Sequence, residues 1–325
     1  MSRYARQTAL PELGAAGQAR LAAAHVLVIG AGGLAAPVLQ YLVGAGVGRI
    51  TLMDGDSVSL SNLHRQVLFR MDDIGRPKPE VAAAHMAALN PDCSIVPVAE
   101  PLDPANAPAH VAAADLVLDC ADSFAASYTL SDTCLAAGTA LISASVVGLS
   151  GYCAGVCGGA PSLRAVFPDL PERAGSCATD GVLGPCVGII GSLQAQMALA
   201  FLARMAPSPL GRLVSFDAAD HRFGGFRFDG APEPEGELAF IAPSQTRPDD
   251  WLVDLRASDE AGPPLPHASR RTVQDFDSLE PCPDGSRAVL ACRSGLRSWQ
   301  AATRLRRAWD GEIALIALGD RNEGD

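Results

Sequence analysis

Along the first two thirds of the chain, short runs of β-branched and aliphatic residues alternate with Ala-rich stretches of helical period. Apolar runs of about four to eight residues bounded by turn signals predict strands buried on both faces. They fall at His25–Ile29, Arg49–Asp54, Ser94–Glu100, Leu116–Asp119 and Ala140–Val147. Between them, the period predicts helices at Leu34–Val43, Pro79–Leu89, Ala125–Ala137 and Val187–Arg204. Such alternation is the pattern of an α/β fold, a mainly parallel sheet flanked by helices. Two further extended runs, Val214–Ala218 and Arg222–Phe228, close this part. An acidic Pro/Gly stretch from Asp229 then reads as a linker. A second, shorter α/β pattern follows: strands at Trp251–Leu255, Ala288–Ala291 and Ile313–Leu318, with a helix from Leu296. The expected organisation is therefore a large unit over 1–229, a linker over 230–248 and a small unit over 249–325.

Composition narrows the class. Hydrophobic residues make up 48% of the 325 and charged residues 19%, enough for a sizeable core and against wholesale disorder. Net charge of −11 disfavours a general nucleic-acid surface but leaves room for a local basic pocket. The nearest approach to a membrane span, Gly181–Leu202, is interrupted by Gly184 and Pro185 and carries Gln194 and Gln196. No apolar run follows Met1–Arg6, so no secretion signal is expected. Nine scattered cysteines suit reduced thiols in a cytoplasm better than a disulfide framework.

The chemistry begins at Val26-Leu-Val-Ile-Gly30-Ala-Gly32-Gly33, a strand entering a glycine-rich turn and then a helix. Glycines there let the backbone approach phosphate oxygens, and free N–H groups at the helix start favour an anion. Asp54 ends the next strand, where an acidic side chain reaches ribose hydroxyls. This much fits a Rossmann-like sheet and equally an NAD-dependent oxidoreductase. Ser61-Asn62-Leu-His-Arg65-Gln and Lys78 shift the balance toward a triphosphate. A carboxylate attacking the α-phosphorus builds negative charge on that centre and on leaving pyrophosphate, and a guanidinium with an ammonium neutralises it. Asp122 follows strand Leu116–Asp119, where open sheets place ligand-binding residues, and suits Mg²⁺.

Taken together, Arg3-Tyr4-x-Arg6-Gln7, Gly30-Ala-Gly-Gly-Leu34, Asp54-x-Asp56, Ser61-Asn-Leu-His-Arg-Gln66, Asp73-Ile-Gly75-x-x-Lys78, Asp119-Cys-Ala-Asp122 and Gly188-x-x-Gly-Ser-Leu-Gln-Ala195 resemble the MoeB/ThiF/HesA family. The resemblance runs from about Arg3 to Phe228. It implies ATP-dependent adenylation of the C-terminal Gly-Gly carboxylate of a small ubiquitin-like sulfur carrier protein. It also implies ATP and Mg²⁺ at Gly30, Gly32, Gly33, Asp54, Asp56, Ser61, Asn62, Arg65, Lys78, Asp122 and Ser123. A homodimer is implied too, with Arg6 reaching the partner's site. The chain departs from the pattern at Ala35, where a glycine is usual, and at Ser123, where an asparagine is usual.

Cys177, in a small-residue loop, matches the family's cysteine that joins the carrier covalently, and a thiolate suits that attack. Many relatives hold zinc with two Cys-x-x-Cys pairs. Here Ser162-Leu-Arg-Ala165 and the cysteine-free 231–236 stand in their place, so no structural zinc is expected. Trp251-Leu-Val-Asp-Leu-Arg256 with Cys292-Arg-Ser-Gly-Leu-Arg297 resembles a shortened rhodanese domain, its Gly-His-Ile-Pro-Gly-Ala stretch reduced to Pro264-Leu-Pro-His-Ala268. A loop from Cys292 into a helix aims N–H groups at the sulfur, and Arg297 adds charge. The expected sequence is acyl adenylate formation, then transfer of sulfur from a persulfide on Cys292, itself loaded by a persulfide donor, to give a thiocarboxylate. The alternatives are the NAD-dependent oxidoreductase, or adenylation of a peptide or carrier in secondary metabolism without sulfur transfer.

Overall fold

The computed structural model describes residues 3–170, 181–236, 238–258, 260, 265–277 and 287–319. Helices α1 (Ala5–Thr8) and α2 (Gly14–Ala23) lead into a repeating unit. This runs β1 (His25–Ile29), α3 (Ala35–Ala45), β2 (Arg49–Met53), α4 (Lys78–Leu89), β3 (Ser94–Val98), α5 (Ala107–Ala112), β4 (Leu116–Asp119), α6 (Phe124–Ala137) and β5 (Ala140–Val147). Then come β6 (Ser150–Cys157), α7 (Leu163–Val166), α8 (Gly184–Ala203), β7 (Arg212–Asp217) and β8 (Arg222–Arg227). The last elements are β9 (Ala239–Phe240), β10 (Trp251–Asp254), β11 (Ser269–Arg270), β12 (Ala288–Cys292), α9 (Leu296–Leu305) and β13 (Ile313–Ala317).

The first sheet has eight strands in the order β3-β2-β1-β4-β5-β6-β7-β8. From β3 to β5 the pairings are parallel; β6, β7 and β8 add as antiparallel neighbours. The mainly parallel α/β class read from the sequence thus holds. Boundaries differ by a few residues where proline is involved. Pro79 and Pro185 sit in the first turns of α4 and α8, where a missing N–H costs nothing, so both helices begin earlier than their apolar pattern. Helix α8 is long and apolar enough to cross a bilayer, yet over half of its most apolar stretch is buried within the protein, where it packs on α3 and β5.

The second sheet has five parallel strands, ordered β11-β10-β12-β13-β9. Strand β9 and Glu233 both lie within the stretch read as linker, and both are engaged in packing. The two sheets share a core: Ala125 and Tyr128 of α6 cluster with Leu238, Phe240, Val253, Leu290 and Trp299. At its centre lies Arg164, its side chain 2% exposed. Arg164 donates to both oxygens of Asp132 at 2.6 and 2.7 Å and to the Leu238 carbonyl at 3.0 Å. Its guanidinium stands 4.6 Å over the Tyr128 ring and 5.5 Å from the Trp299 ring.

A buried charge that loses its partner is costlier than an exposed one, because only the exposed group regains water. Asp132 is the more exposed member of this pair. Asp132→Ala, which strands the guanidinium, should therefore lower unfolding stability by about 3–5 kcal/mol. Arg164→Met, which keeps most of the volume, should cost less. Denaturant titration checks the order, and a larger loss for Arg164→Met would contradict it.

Candidate active site

Where β1 and β4 lie side by side, the chain winds outward in opposite directions, and the loops beyond their C-terminal ends open a crevice. Gly30 makes this possible. Its φ is +90°, and a Cβ there would lie 2.7 Å from the Cys120 carbonyl oxygen. The Gly30 N–H donates to the Met53 carbonyl at 2.8 Å, which ties the turn to β2. Gly33 is equally constrained, since a Cβ would come within 2.8 Å of Val187 and 3.6 Å of the Arg65 side chain. Among the described residues the N–H groups of Gly32 and Gly33 donate to no acceptor, as a phosphate cradle requires.

Asp54 closes the turn from below. Its carboxylate accepts from the Ala31 N–H at 2.6 Å and the Asp56 N–H at 2.7 Å. Burial raises its pKa, and the nearby Lys78 charge pulls it back down. Lys78, the one lysine in the chain, is only 5% exposed. Its Nζ donates to Asp56 Oδ2 at 2.8 Å. Arg65 packs on Gly33 and donates from Nη1 to the Ser61 carbonyl at 3.2 Å. Asn62 accepts from the Ser59 N–H, holding the turn from which Ser61 and Arg65 project. Asp122 is exposed at the end of the loop that abuts Gly30, and Ser123 occupies the N-cap position of α6. Contacts thus link the predicted Gly30, Gly32 and Gly33 turn to Asp54, Asp56, Arg65 and Lys78, while Ser61 and Asn62 lie on the connection that carries Arg65, and Asp122 and Ser123 follow the loop that abuts Gly30. The exposed Asp122 carboxylate beside a phosphate cradle fits Mg²⁺, which is usually bound through one or two carboxylates plus substrate phosphates.

Other predicted residues lie elsewhere. Arg6 is exposed on α1, and the Tyr4 ring beside it covers Gly46, ahead of the start of β2. That is the N-terminal end of the parallel strands, whereas the crevice lies beyond their C-terminal ends. Cys177 lies outside the described residues. Cys292 ends β12, is fully buried, and its Sγ accepts from the Gly295 N–H at 3.1 Å and the Ser298 N–H at 3.4 Å. Arg297 is held by both oxygens of Glu260, at 2.6 and 2.5 Å. At the position where relatives place zinc thiolates, Glu233 accepts from the Ser162 N–H at 2.8 Å and from its hydroxyl. These donors bond to each other and do not fit a closed thiolate site.

Sequence reading missed the polar floor of the crevice. Asp119 is fully buried, accepts from Ser143 Oγ at 2.8 Å, and its pKa is pushed up to about 6 by burial. Gln194 donates to the carbonyls of Asp119 at 2.7 Å and Ile142 at 2.9 Å. The signal was available, since Gln194 is one of two glutamines on a largely apolar helix.

A family model described as the ThiF family matches residues 4–237. The chain is 40% identical over 225 residues to the SAMP-activating enzyme E1 of Haloferax volcanii, covering 69% of this chain and 83% of that protein. It is 48% identical over 219 residues to the adenylyltransferase and sulfurtransferase MOCS3 of Bos taurus, covering 66% of this chain and 48% of that one. The chain thus spans about half the length of MOCS3. Among solved structures, E. coli MccB with ATP aligns with a TM-score of 0.61 at 21% identity, over 71% of this chain and 72% of that one.

Asp119 supplies a pH test. Its folded pKa lies above the ordinary carboxylate value of 3.8, so between about pH 4 and pH 6 the folded chain keeps a proton that the unfolded chain has released. Its contribution therefore favours the fold below that window and fades as pH rises through it. Asp119→Asn has no proton to lose. Its stability relative to wild type should rise by about 2–3 kcal/mol from pH 4 to pH 7, measured by urea unfolding. A constant difference across that range would contradict it.

Proposed function

The chain belongs to the ThiF family, and on that footing we propose that it adenylates the C-terminal carboxylate of a small ubiquitin-like carrier protein ending in Gly-Gly, with ATP as co-substrate. The observation that carries this reading is the pairing of Lys78 and Arg65 around a glycine turn with open N–H groups. A hydride-transfer enzyme needs neither cation. In the proposed reaction the carrier carboxylate attacks the α-phosphorus, the bond to the β-phosphate oxygen breaks, and pyrophosphate leaves. Arg65 and Lys78 neutralise the charge that develops, and Lys78 must exchange Asp56 for phosphate oxygens to do so. Mg²⁺ held at Asp122 would supply further charge neutralisation on the phosphates. The activities for which the relatives are named support this reading, as does the ATP complex of MccB.

The second half of the proposal is sulfur transfer. We assign 1–229 to adenylation, 230–248 to a connecting segment and 249–325 to a short rhodanese-like unit. Cys292, at a strand end beneath two N–H donors, suits a persulfide, loaded by an external persulfide donor. The outer persulfide sulfur displaces AMP to give an acyl disulfide between carrier and Cys292; a second thiol then attacks the Cys292 sulfur, forming a protein disulfide and releasing the carrier as a thiocarboxylate. Cys177 is the candidate for a covalent carrier intermediate. The proposed assembly is a homodimer placed in the cytoplasm. Tyr41, Val67, Leu183 and Ile189 expose apolar surface around a cavity of about 410 Å³ that Gly33 and Arg65 also line. Arg6 would reach the partner's crevice, since in its own chain it lies at the N-terminal end of the strands, away from the crevice; sedimentation showing only monomers would sink this part.

Two measurements test the reading. Arg65→Ala and Lys78→Ala should each slow carrier-dependent ATP–pyrophosphate exchange by about 10²-fold or more. Exchange at the wild-type rate in both would remove the site assignment. Cys292→Ala should leave exchange intact while abolishing thiocarboxylate formation, read from the mass of the carrier. Equal thiocarboxylate yield in that variant would make the second sheet a purely structural unit.

A further inference from the structure

A cavity of about 1180 Å³ opens on the second sheet, between the segment after β10, residues 270–275, one face of α9 and Asp169-Leu170. Six arginines line it: Arg256, Arg270, Arg271, Arg297, Arg304 and Arg307. Asp169 and Asp275 are the only acidic lining residues among the described ones. In a chain of net charge −11, this concentration of guanidinium groups is a local reversal of sign.

The six differ in how far they are neutralised. Arg256 is bonded to Asp254, Arg297 to Glu260, and Arg304 to Asp277. Arg270 reaches only the Asp254 carboxylate that Arg256 already holds, at 3.6 Å. Arg271 and Arg307 make no ion pair among the described residues. Arg271 lies 5.7 Å over the Trp251 ring, and its buried Nε has no acceptor. A buried donor left without a partner costs about 1–3 kcal/mol, so an acceptor arriving in the cavity is favoured.

We propose that this cavity binds a carboxylate-rich segment of a protein partner. Guanidinium forks match carboxylates in a bidentate manner, and here they project from several elements, as an extended acidic peptide requires. The volume exceeds the roughly 300–1,000 Å³ of sites built for one small molecule. Leu170, Leu255, Val273 and Trp299 supply apolar contact between the charges. Elsewhere the net negative chain repels an acidic partner, so the cavity also orients its approach. Arg297 belongs both to the cavity wall and to the helix that starts at the Cys292 loop. The bound segment therefore belongs to the protein that delivers sulfur, a point that rests on the reading above, whereas the binding itself does not.

The test uses the full chain and an acetylated hexaglutamate peptide, with binding followed by calorimetry and tryptophan fluorescence in the absence of ATP. Wild type should bind it and quench or shift its emission, because Trp299 lines the cavity. Arg307→Gln and Arg271→Gln should each weaken binding about tenfold, some 1.4 kcal/mol, and Arg212→Gln on the exposed start of β7 should not. Arg307 is exposed on the surface, so its variant does not hinge on folding. Failure of the peptide to bind wild type, or wild-type affinity in both cavity variants, overturns the proposal. So does inorganic phosphate competing on equal terms, which would mark a small-oxyanion site. Peptide binding in a chain that fails pyrophosphate exchange would retain the cavity and remove the adenylation reading; exchange without peptide binding would do the reverse.

Discussion

The close approach of two loops at Gly30 is the constraint on which the site depends. The turn after β1 and the loop after β4 pass so near that no side chain fits between Gly30 and the Cys120 carbonyl. That contact brings Asp122 to the glycine turn and leaves Gly32 and Gly33 with unspent N–H groups. Asp54, reaching from β2, then accepts the Ala31 N–H and fixes the turn from its other side. Lys78 and Arg65 arrive on the long β2–α4 connection, and each is held by that connection's own groups, Asp56 and the Ser61 carbonyl. A side chain at position 30 would separate these parts even if every charged residue were retained.

Most of this was legible in the sequence because the parallel strands are continuous apolar runs and the glycine turn has fixed spacing. What was not legible has physical reasons. Strand β6, Ser150–Cys157, is built of small residues and lacks a β-branched run. Gly151 and Gly155 are required there because a Cβ would lie 2.8 Å from the Ser145 carbonyl oxygen or 2.5 Å from that of Pro209. Packing, rather than propensity, makes it a strand. The stretch after Asp229 carries linker composition, but Glu233 bonds Ser162 and Phe240 joins the second sheet. Neither partner is near in sequence, so no local pattern announces it. Asp119 was readable as the end of a strand, but its buried bond to Ser143 depends on the β4–β5 register.

Among the described residues, the second sheet leans on the first largely through α6, with Arg164 of α7 beside it. Helix α6 begins directly after Asp122 and Ser123, and its buried face contributes Ala125 and Tyr128 to the core of the second sheet. Phe124 at its start faces Phe240 with ring centroids 6.4 Å apart. Phe240 in turn fills the space that a Cβ on Gly295 would need. Two aromatic rings thus separate the start of α6 from the Cys292 loop. Arg164 completes the joint with charge: only a guanidinium flat enough to lie on Tyr128, and long enough to reach both Asp132 and the Leu238 carbonyl, satisfies every neighbour at once.

This arrangement bears on how a fully buried Cys292 could exchange sulfur. Its Sγ is satisfied by two N–H groups and shielded from solvent, so a donor reaches it only if the loop 293–295 moves. Gly295, at φ +89°, gives that loop a residue free of the strain a side chain would add, while Phe240 limits how far it shifts toward α6. Movement is therefore directed away from the first sheet. Arg297, at the first turn of α9, is held to Glu260 by a bidentate pair. An arriving anion that replaces Glu260 on Arg297 would stabilise the opened loop, which couples the charge of the donor to the exposure of the thiol it must reach.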